Sequence, residues 1–295
     1  MNPALILSAA EVVDDPSWLS SQSCPVIVYG TDVITENADV LTADLKSAHI
    51  LAEKIAAAPL AAMTLVQVLR STERLPTELG LDVESLAYST LQSGPEFQRW
   101  LRTEKDITTL PEREGPAILL QREGSQLEAI LNRAELRNSV TVEMRDAWVE
   151  TLELLEVDDS IEQLILRGLG PCFSTGGELA EFGSAPDPAV AHWVRSVRSP
   201  ARMMAKLGSR ITAYVHGACI GSGIELPAFS ARMIAHSKTH FQLPELKLGL
   251  IPGAGGTVSL TRRIGRQKTA WLVLSGRRIN AKTALEWGLV DEIQD

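Results

Sequence analysis

The 295-residue chain is short of cysteine, has no surplus of positive charge and carries no long hydrophobic run. Its three cysteines, Cys24, Cys172 and Cys219, stand far apart and are odd in number. Neither a disulfide framework nor a zinc-ligand spacing follows, and a reducing, cytoplasmic compartment is the simplest expectation. Lys plus Arg number 28 against 37 Asp plus Glu, a formal charge of −9 without a basic block. That balance argues against nucleic acid or an anionic membrane as a partner, while leaving room for a local basic patch that takes a phosphorylated ligand. The longest apolar tract, residues 55–68, falls short of a bilayer span and contains Pro59. The opening MNPALILSAAEVVDDPSW lacks a basic n-region and matches a secretory signal poorly. Catalytic signatures are missing too. There is no GxSxG elbow of a serine hydrolase. The histidines His49, His192, His216, His236 and His240 show no ligand spacing, so no metal is expected. PGAGGT (252–257) fails as GxGxxG because Val258 holds the last glycine position, and it reads as a backbone turn.

What is present is an ordinary globular composition, 45% apolar and 22% charged, enough for one large domain or a core with an appendage. The chain changes character near residue 110. Residues 1–44 contain two apolar runs, ALILSA and PVIVYG, that read as short buried strands around a possible helix at 16–21. Residues 45–110 read as helical, with stripes at Ile50, Leu51 and Ile55, at Leu65, Val66 and Leu69, and at 86–91 and 97–101. TLPEREGP (109–116) is polar, carries two prolines and suits a linker. From 111 to 295 strands and helices alternate. AILLQR and LEAILN read as a hairpin, and Asn138 or Ser139 can cap a helix whose face is Val140, Met144, Trp148, Leu152 and Leu155. QLILRG and ITAYVHG are further strands. This order predicts an α/β layer architecture with parallel crossovers.

Two glycine-rich turns follow apolar strands directly, at 168–179 and 216–226. If each opens a helix, its free N–H groups and dipole would polarise a carbonyl oxygen, whereas the plainer reading is that glycine merely permits a tight turn. Glu225 and Glu245 each lie in a mostly apolar segment, where a bare carboxylate is costly unless it is paired or functional. Two carboxylates around one water can serve as general acid and general base. Cys172 and Cys219, close to these loops, suit small buried packing positions.

LNRAELRNSVTVEMRDAW, LRGLGPCFSTGGELAEF, the long block from VHGACIGSGIELPAF to TRRIG, and LSGRRINAKTALEWGLVDEI resemble successive motifs of the enoyl-CoA hydratase/isomerase (crotonase) superfamily, in that family's order, across residues 117–293. The resemblance implies a crotonase-like spiral of ββα units in an α/β fold, here with an added helical region, that binds an acyl-CoA thioester. It places an oxyanion hole at the backbone N–H groups of Gly177 and Ser222 and the two hydratase acids at Glu225 and Glu245. It implies hydration of a 2-enoyl-CoA without metal or redox cofactor, coenzyme A being part of the substrate. An isomerase, another acyl-CoA transformation or a non-catalytic acyl-CoA-binding subunit are the alternatives. A trimer or dimer of trimers is implied by the same likeness. Arg137, Thr175, Trp100 and Lys105 are the positions expected to meet coenzyme A, Arg137 because a guanidinium fork suits phosphate.

Three departures from the pattern stand out. Ser222 replaces a usual glycine and adds a side chain to the pocket. The second is a pair of side-chain changes: Glu178 stands where aspartate is common, and Pro227 enters the second helix early. The third is one of order. Relatives continue past GLVDEI with helices that cover the site, whereas here residues 48–105 resemble that region and precede the core. The expectation is a circular permutation, with the usual tail joined in front through residues 106–116; the alternative is an unrelated helical extension in front of a truncated core.

Overall fold

A computed structural model describes residues 3–15, 17–30, 34–103, 114–185 and 187–295. Lys105 and most of the expected linker at 106–116 therefore lie outside the described residues.

The first residues form β1 (Leu5–Ser8), α1 (Trp18–Ser21), β2 (Val26–Tyr29) and β3 (Val40–Thr42). The three strands pair in parallel in the order β1-β2-β3. Two strands and the helix match the sequence reading; β3 is additional. β1 is half-buried rather than buried because it is the edge strand, while central β2 buries Val26, Ile27 and Val28 fully. Asp39 fastens this sheet to the rest of the chain. Its carboxylate is 1% exposed and accepts from Val26 N (2.8 Å), Arg70 Nε (2.9 Å) and Arg266 Nη1 (3.2 Å). A buried carboxylate shared by two guanidiniums and an amide has its desolvation offset, and removing it would strand both cations.

Four helices follow: α2 (Leu45–Ala57), α3 (Pro59–Thr72), α4 (Thr77–Gln92) and α5 (Pro95–Thr103). Asp44 caps α2 by accepting from Ser47 N at 2.7 Å. The apolar tract at 55–68 is split between α2 and α3, which meet at 109°, because Pro59 has no N–H to continue a helix and instead starts one. No single helix among the described residues is long and apolar enough to cross a membrane. The expected stripes are partly corrected. α2 buries Ala48, Leu51 and Ile55, three and four residues apart, and leaves Ile50 outside; Leu86 is likewise exposed on α4.

The core runs β4 (Ile118–Glu123), β5 (Gln126–Leu131), α6 (Val142–Val157), β6 (Gln163–Gly168), α7 (Pro188–Val197), α8 (Pro200–Leu207), β7 (Ile211–Val215), β8 (Ala218–Ile220) and α9 (Ser222–Glu225). It continues with β9 (Arg232–Ala235), β10 (His240–Gln242), α10 (Gly256–Ile264), α11 (Arg266–Ser275), β11 (Ile279–Asn280), α12 (Ala281–Trp287) and β12 (Glu292–Ile293). One sheet has the order β12-β9-β7-β6-β5-β4, parallel except for the β4–β5 hairpin; the other has the order β11-β10-β8. The cap of α6 is Thr141, whose side chain accepts from Met144 N, not Asn138 or Ser139. Asn138 is spent elsewhere: its backbone is left-handed (φ 52°) and its amide ties Arg133 N to the carbonyls of Leu169 and Cys172. Val140 lies before α6 rather than on its face; Met144, Trp148, Leu152 and Leu155 are buried as expected.

The helical region lies on the core. α3 and α4 meet α10, and α4 also meets α7 and α8. α5 rests on the 3-10 turn Glu245–Leu248. That approach is close enough to require glycine at 249, where a Cβ would lie 2.6 Å from Glu96 Cβ and Phe97 N.

Candidate active site

The loop after β6 runs alongside β8, stitched by the parallel bridge Ser174↔Cys219. Gly176 makes that spacing possible. Its φ is 86°, and a Cβ there would sit 2.5 Å from the Ile220 carbonyl oxygen. A second bridge, Val140↔Gly177, fixes the orientation of the next amide. Val140 N donates to Gly176 O (2.7 Å) and Glu178 N donates to Val140 O (3.2 Å). Successive peptide groups in extended chain face opposite ways, so the N–H of Gly177 is turned away from Val140. It has no hydrogen-bond partner among the described residues, and neither does the N–H of Ser222 at the start of α9. Both residues line one cavity of about 910 Å³.

The expected helix starts are only half present. After the first loop comes a 3-10 turn, Leu179–Glu181, and α7 begins at Pro188, so the Gly177 amide is aimed by a β-bridge rather than by a helix terminus. α9 is a single turn that passes into a 3-10 turn at Pro227–Phe229, because Pro227 cannot donate an amide hydrogen.

Glu225 and Glu245 line the same cavity and are 2% and 8% exposed. Glu225 Oε2 accepts from Ala254 N (2.8 Å) and Gly256 N (3.0 Å). PGAGGT is thus more than a turn, since it presents amides to a buried acid. Glu245 opens its 3-10 turn, and its Oε2 is buried without a partner. Burial holds the Glu225 carboxyl well above the usual range, and the charges of Glu245 and Glu84 push it further. Burial likewise pushes Glu245 up to about 8, with Glu84 adding to the effect. Two buried carboxyls whose charges repel resist ionising together, so one can keep its proton while the other is ionised, the arrangement in which one gives a proton and the other takes one.

The helices supply the rest of the wall. Trp100 is buried, stacks on Phe97 and meets Phe182 edge-on (6.1 Å between centroids, 67°). Phe182 in turn covers Gly177, where a Cβ would meet its ring at 2.8 Å. Tyr88 of α4 lies against Gly253, and Arg195 of α7 sits over the Tyr88 ring at 4.7 Å. Thr175 lines the cavity and donates its N–H to Arg137 O. Arg137 itself is exposed and lies outside the cavity lining; it ends a 3-10 turn in left-handed conformation rather than starting a helix. Ser222 lines the cavity, and its Oγ is buried without a partner. Cys172 and Cys219 are buried packing residues.

Glu84, on α4, was not singled out from the sequence. It is 2% exposed and accepts from Gly255 N, Thr257 N and Thr257 Oγ1. A signal for it existed: it lies three residues after Leu81 on the buried side of a helix, where a lone acid among apolar neighbours calls for a partner.

The Enoyl-CoA hydratase/isomerase family model matches residues 122–294. The chain is 32% identical over 173 residues to "Enoyl-CoA isomerase/hydratase fer4" of Mycosarcoma maydis, 56% of this chain and 63% of the relative, and so spans just under two thirds of that protein. It is 35% identical over 184 residues to "1,2-epoxyphenylacetyl-CoA isomerase" of Escherichia coli K12, 60% of this chain and 70% of the relative. Among solved structures, enoyl-CoA hydratase from Thermoplasma volcanium is similar with a TM-score of 0.55 and 29% identity, over 61% of this chain and 73% of that one.

Proposed function

The chain belongs to the enoyl-CoA hydratase/isomerase family, and from that premise we propose that it adds water across the 2,3 double bond of an enoyl-CoA thioester. The observation that carries this reading is the buried Glu225/Glu245 pair in one cavity with the two unpartnered amides of Gly177 and Ser222. The thioester oxygen would accept from both amides, and their dipoles would stabilise the enolate-like charge as it develops, about 3–4 kcal/mol per donor in sites of this kind. The ionised glutamate takes a proton from water, whose oxygen bonds to C3. The protonated one delivers its proton to C2, and the pair ends with the same total number of protons. One face of the cavity would receive coenzyme A, with Thr175 and Trp100 in its wall and Arg137 at the surface nearby.

We further propose that α2 to α5 fill the place of the helices that follow the core in relatives, the two orders being related by circular permutation. The family match begins only at residue 122, yet α4 and α5 lie on the catalytic cavity itself. The direct test of activity is the enone absorbance of crotonyl-CoA, with the product checked by mass spectrometry. Bleaching and a gain of one water support hydration. Appearance of the band from a 3-enoyl-CoA identifies an isomerase, and neither change marks a binding protein.

A further inference from the structure

Four consecutive amides at the start of α10 point alternately at two different acids. Ala254 N donates to Glu225 Oε2 (2.8 Å), Gly255 N to Glu84 Oε1 (2.6 Å), Gly256 N to Glu225 Oε2 (3.0 Å) and Thr257 N to Glu84 Oε2 (2.8 Å). The Thr257 hydroxyl adds a third bond to Glu84 at 2.7 Å. Glu225 comes from the core and Glu84 from α4, so one short backbone segment is held from its two sides by the two regions of the molecule. The other buried acids are employed differently. Asp39 is shared by two arginines, and Glu96 accepts from Leu60 N and Ala61 N at the start of α3. Neither shares a backbone segment with Glu225.

We propose that Glu84 is a positioning residue for the acid/base pair: it fixes the 254–257 segment so that alternate amides meet Glu225, and when ionised it places a negative charge behind that pair. The proposal rests on the reading of Glu225 and Glu245 as acid and base. Every polar group bonded to Glu84 is a donor, which matches a carboxylate accepting at both oxygens. The start of α10 adds the positive end of a helix dipole to the same spot. The charged and titratable groups that face Glu84 are Arg195 from α7, Tyr88 on its own helix, Glu225 from α9 and Glu245 from its 3-10 turn. Burial pushes the Glu84 carboxyl up to about 7, against the pull of the Thr257 and Gly255 donors and of Arg195, and once ionised it repels the charges of Glu225 and Glu245 and so strengthens their hold on a proton.

The variants Glu84→Gln and Glu84→Asp, made in the full chain, separate orientation from charge. The glutamine keeps the length but brings an N–H₂ against amide donors and removes the charge; the aspartate keeps the charge but falls short of the amides. Two measurements apply: kcat and KM on crotonyl-CoA against pH, and an infrared titration of the buried carboxylic C=O stretch without substrate, assigned by its loss in Glu225→Gln. Both variants should lose roughly 10- to 100-fold in kcat with KM nearly kept. In Glu84→Gln the carboxyl midpoint and the basic limb of the rate profile should both move to lower pH, and in Glu84→Asp they should stay near the parent. A role confined to stability would leave the midpoint in place. Parental kcat in both variants, or an unmoved midpoint in Glu84→Gln, overturns the proposal. Should Glu84→Gln fail to fold, kcat in Glu84→Asp decides: loss supports positioning and parental kcat refutes it. Should the parent show no turnover of crotonyl-CoA, the infrared midpoint still decides the proposal, and only the assigned reaction is lost.

Discussion

The core that begins at Ile118 and the helices that precede it build the same cavity by different physical means. The core contributes atoms whose directions are set by backbone: the Gly177 amide aimed by a bridge to Val140, and the Ser222 amide at the start of α9. The preceding helices contribute side chains that close, charge and brace: Trp100, Tyr88 and Glu84. The lesson is that the reacting groups and the environment that tunes them need not come from the same stretch of sequence. Burial raises the proton affinity of Glu225 and Glu245, and α4 and α5 form part of the cavity wall around them.

That contrast can be broken or sharpened by experiment. The largest effect belongs to the core: Glu225→Gln or Glu245→Gln should cut kcat by about 10²–10⁴ while leaving the affinity for a coenzyme A thioester largely intact, as read by steady-state rates and calorimetry. Parental rates in both variants would remove the pair from the chemistry. Next comes the seam between the regions. Asp39→Ala leaves Arg70 and Arg266 without their shared buried anion and should cost about 3–5 kcal/mol of stability, seen as a lower urea midpoint. A midpoint unchanged from the parent would show that the N-terminal sheet is not coupled to the core.

A smaller, graded effect is expected with pH. A reaction that needs one protonated carboxyl of the pair should decline as pH rises through about 8, where Glu245 ionises. Stability moves in the same sense. The Glu245 carboxyl binds its proton more tightly folded than unfolded, so the associated stabilisation is complete below its ordinary value of 4.5 and fades as pH rises towards about 8. Denaturant midpoints measured across that window in the parent and in Glu245→Gln test the sign. The smallest effect is expected from reversing the order of the regions. A chain that runs 114–295, then a flexible linker, then 3–103, opened in the segment between them, should fold and turn over within a few-fold of the parent, since contacts rather than chain order define the cavity. Loss of folding or of turnover would argue that the helices are an extension and not a displaced tail.

Legibility differed between the regions for reasons visible in particular residues. Glu225 and Glu245 stood out because acids inside apolar runs announce a special environment, and Gly176 marked where backbone could approach backbone. Glu84 obeys the same rule but sits in a helix with Asp82 and Glu78 close by, where another acid passes as surface decoration. Asn138 was misread as a cap because its side chain can bond locally, yet the left-handed backbone at 137 and 138 aims it at Leu169 and Cys172 instead. β3 was missed because three residues carry too little alternation to show, and it forms by pairing with β2.

What the sequence by itself determined is the set of local structures and candidate site groups: hairpin and helix periodicity, the turn glycines, two acids in apolar surroundings. These depend on interactions a few residues long, which the order of side chains dictates. The tertiary structure alone decided which amides were left without partners, which loops ran side by side, and that an acid 141 residues before Glu225 would share its backbone segment. Such features arise from packing between distant segments. Their energies depend on burial and on hydrogen-bond partners that no local pattern encodes.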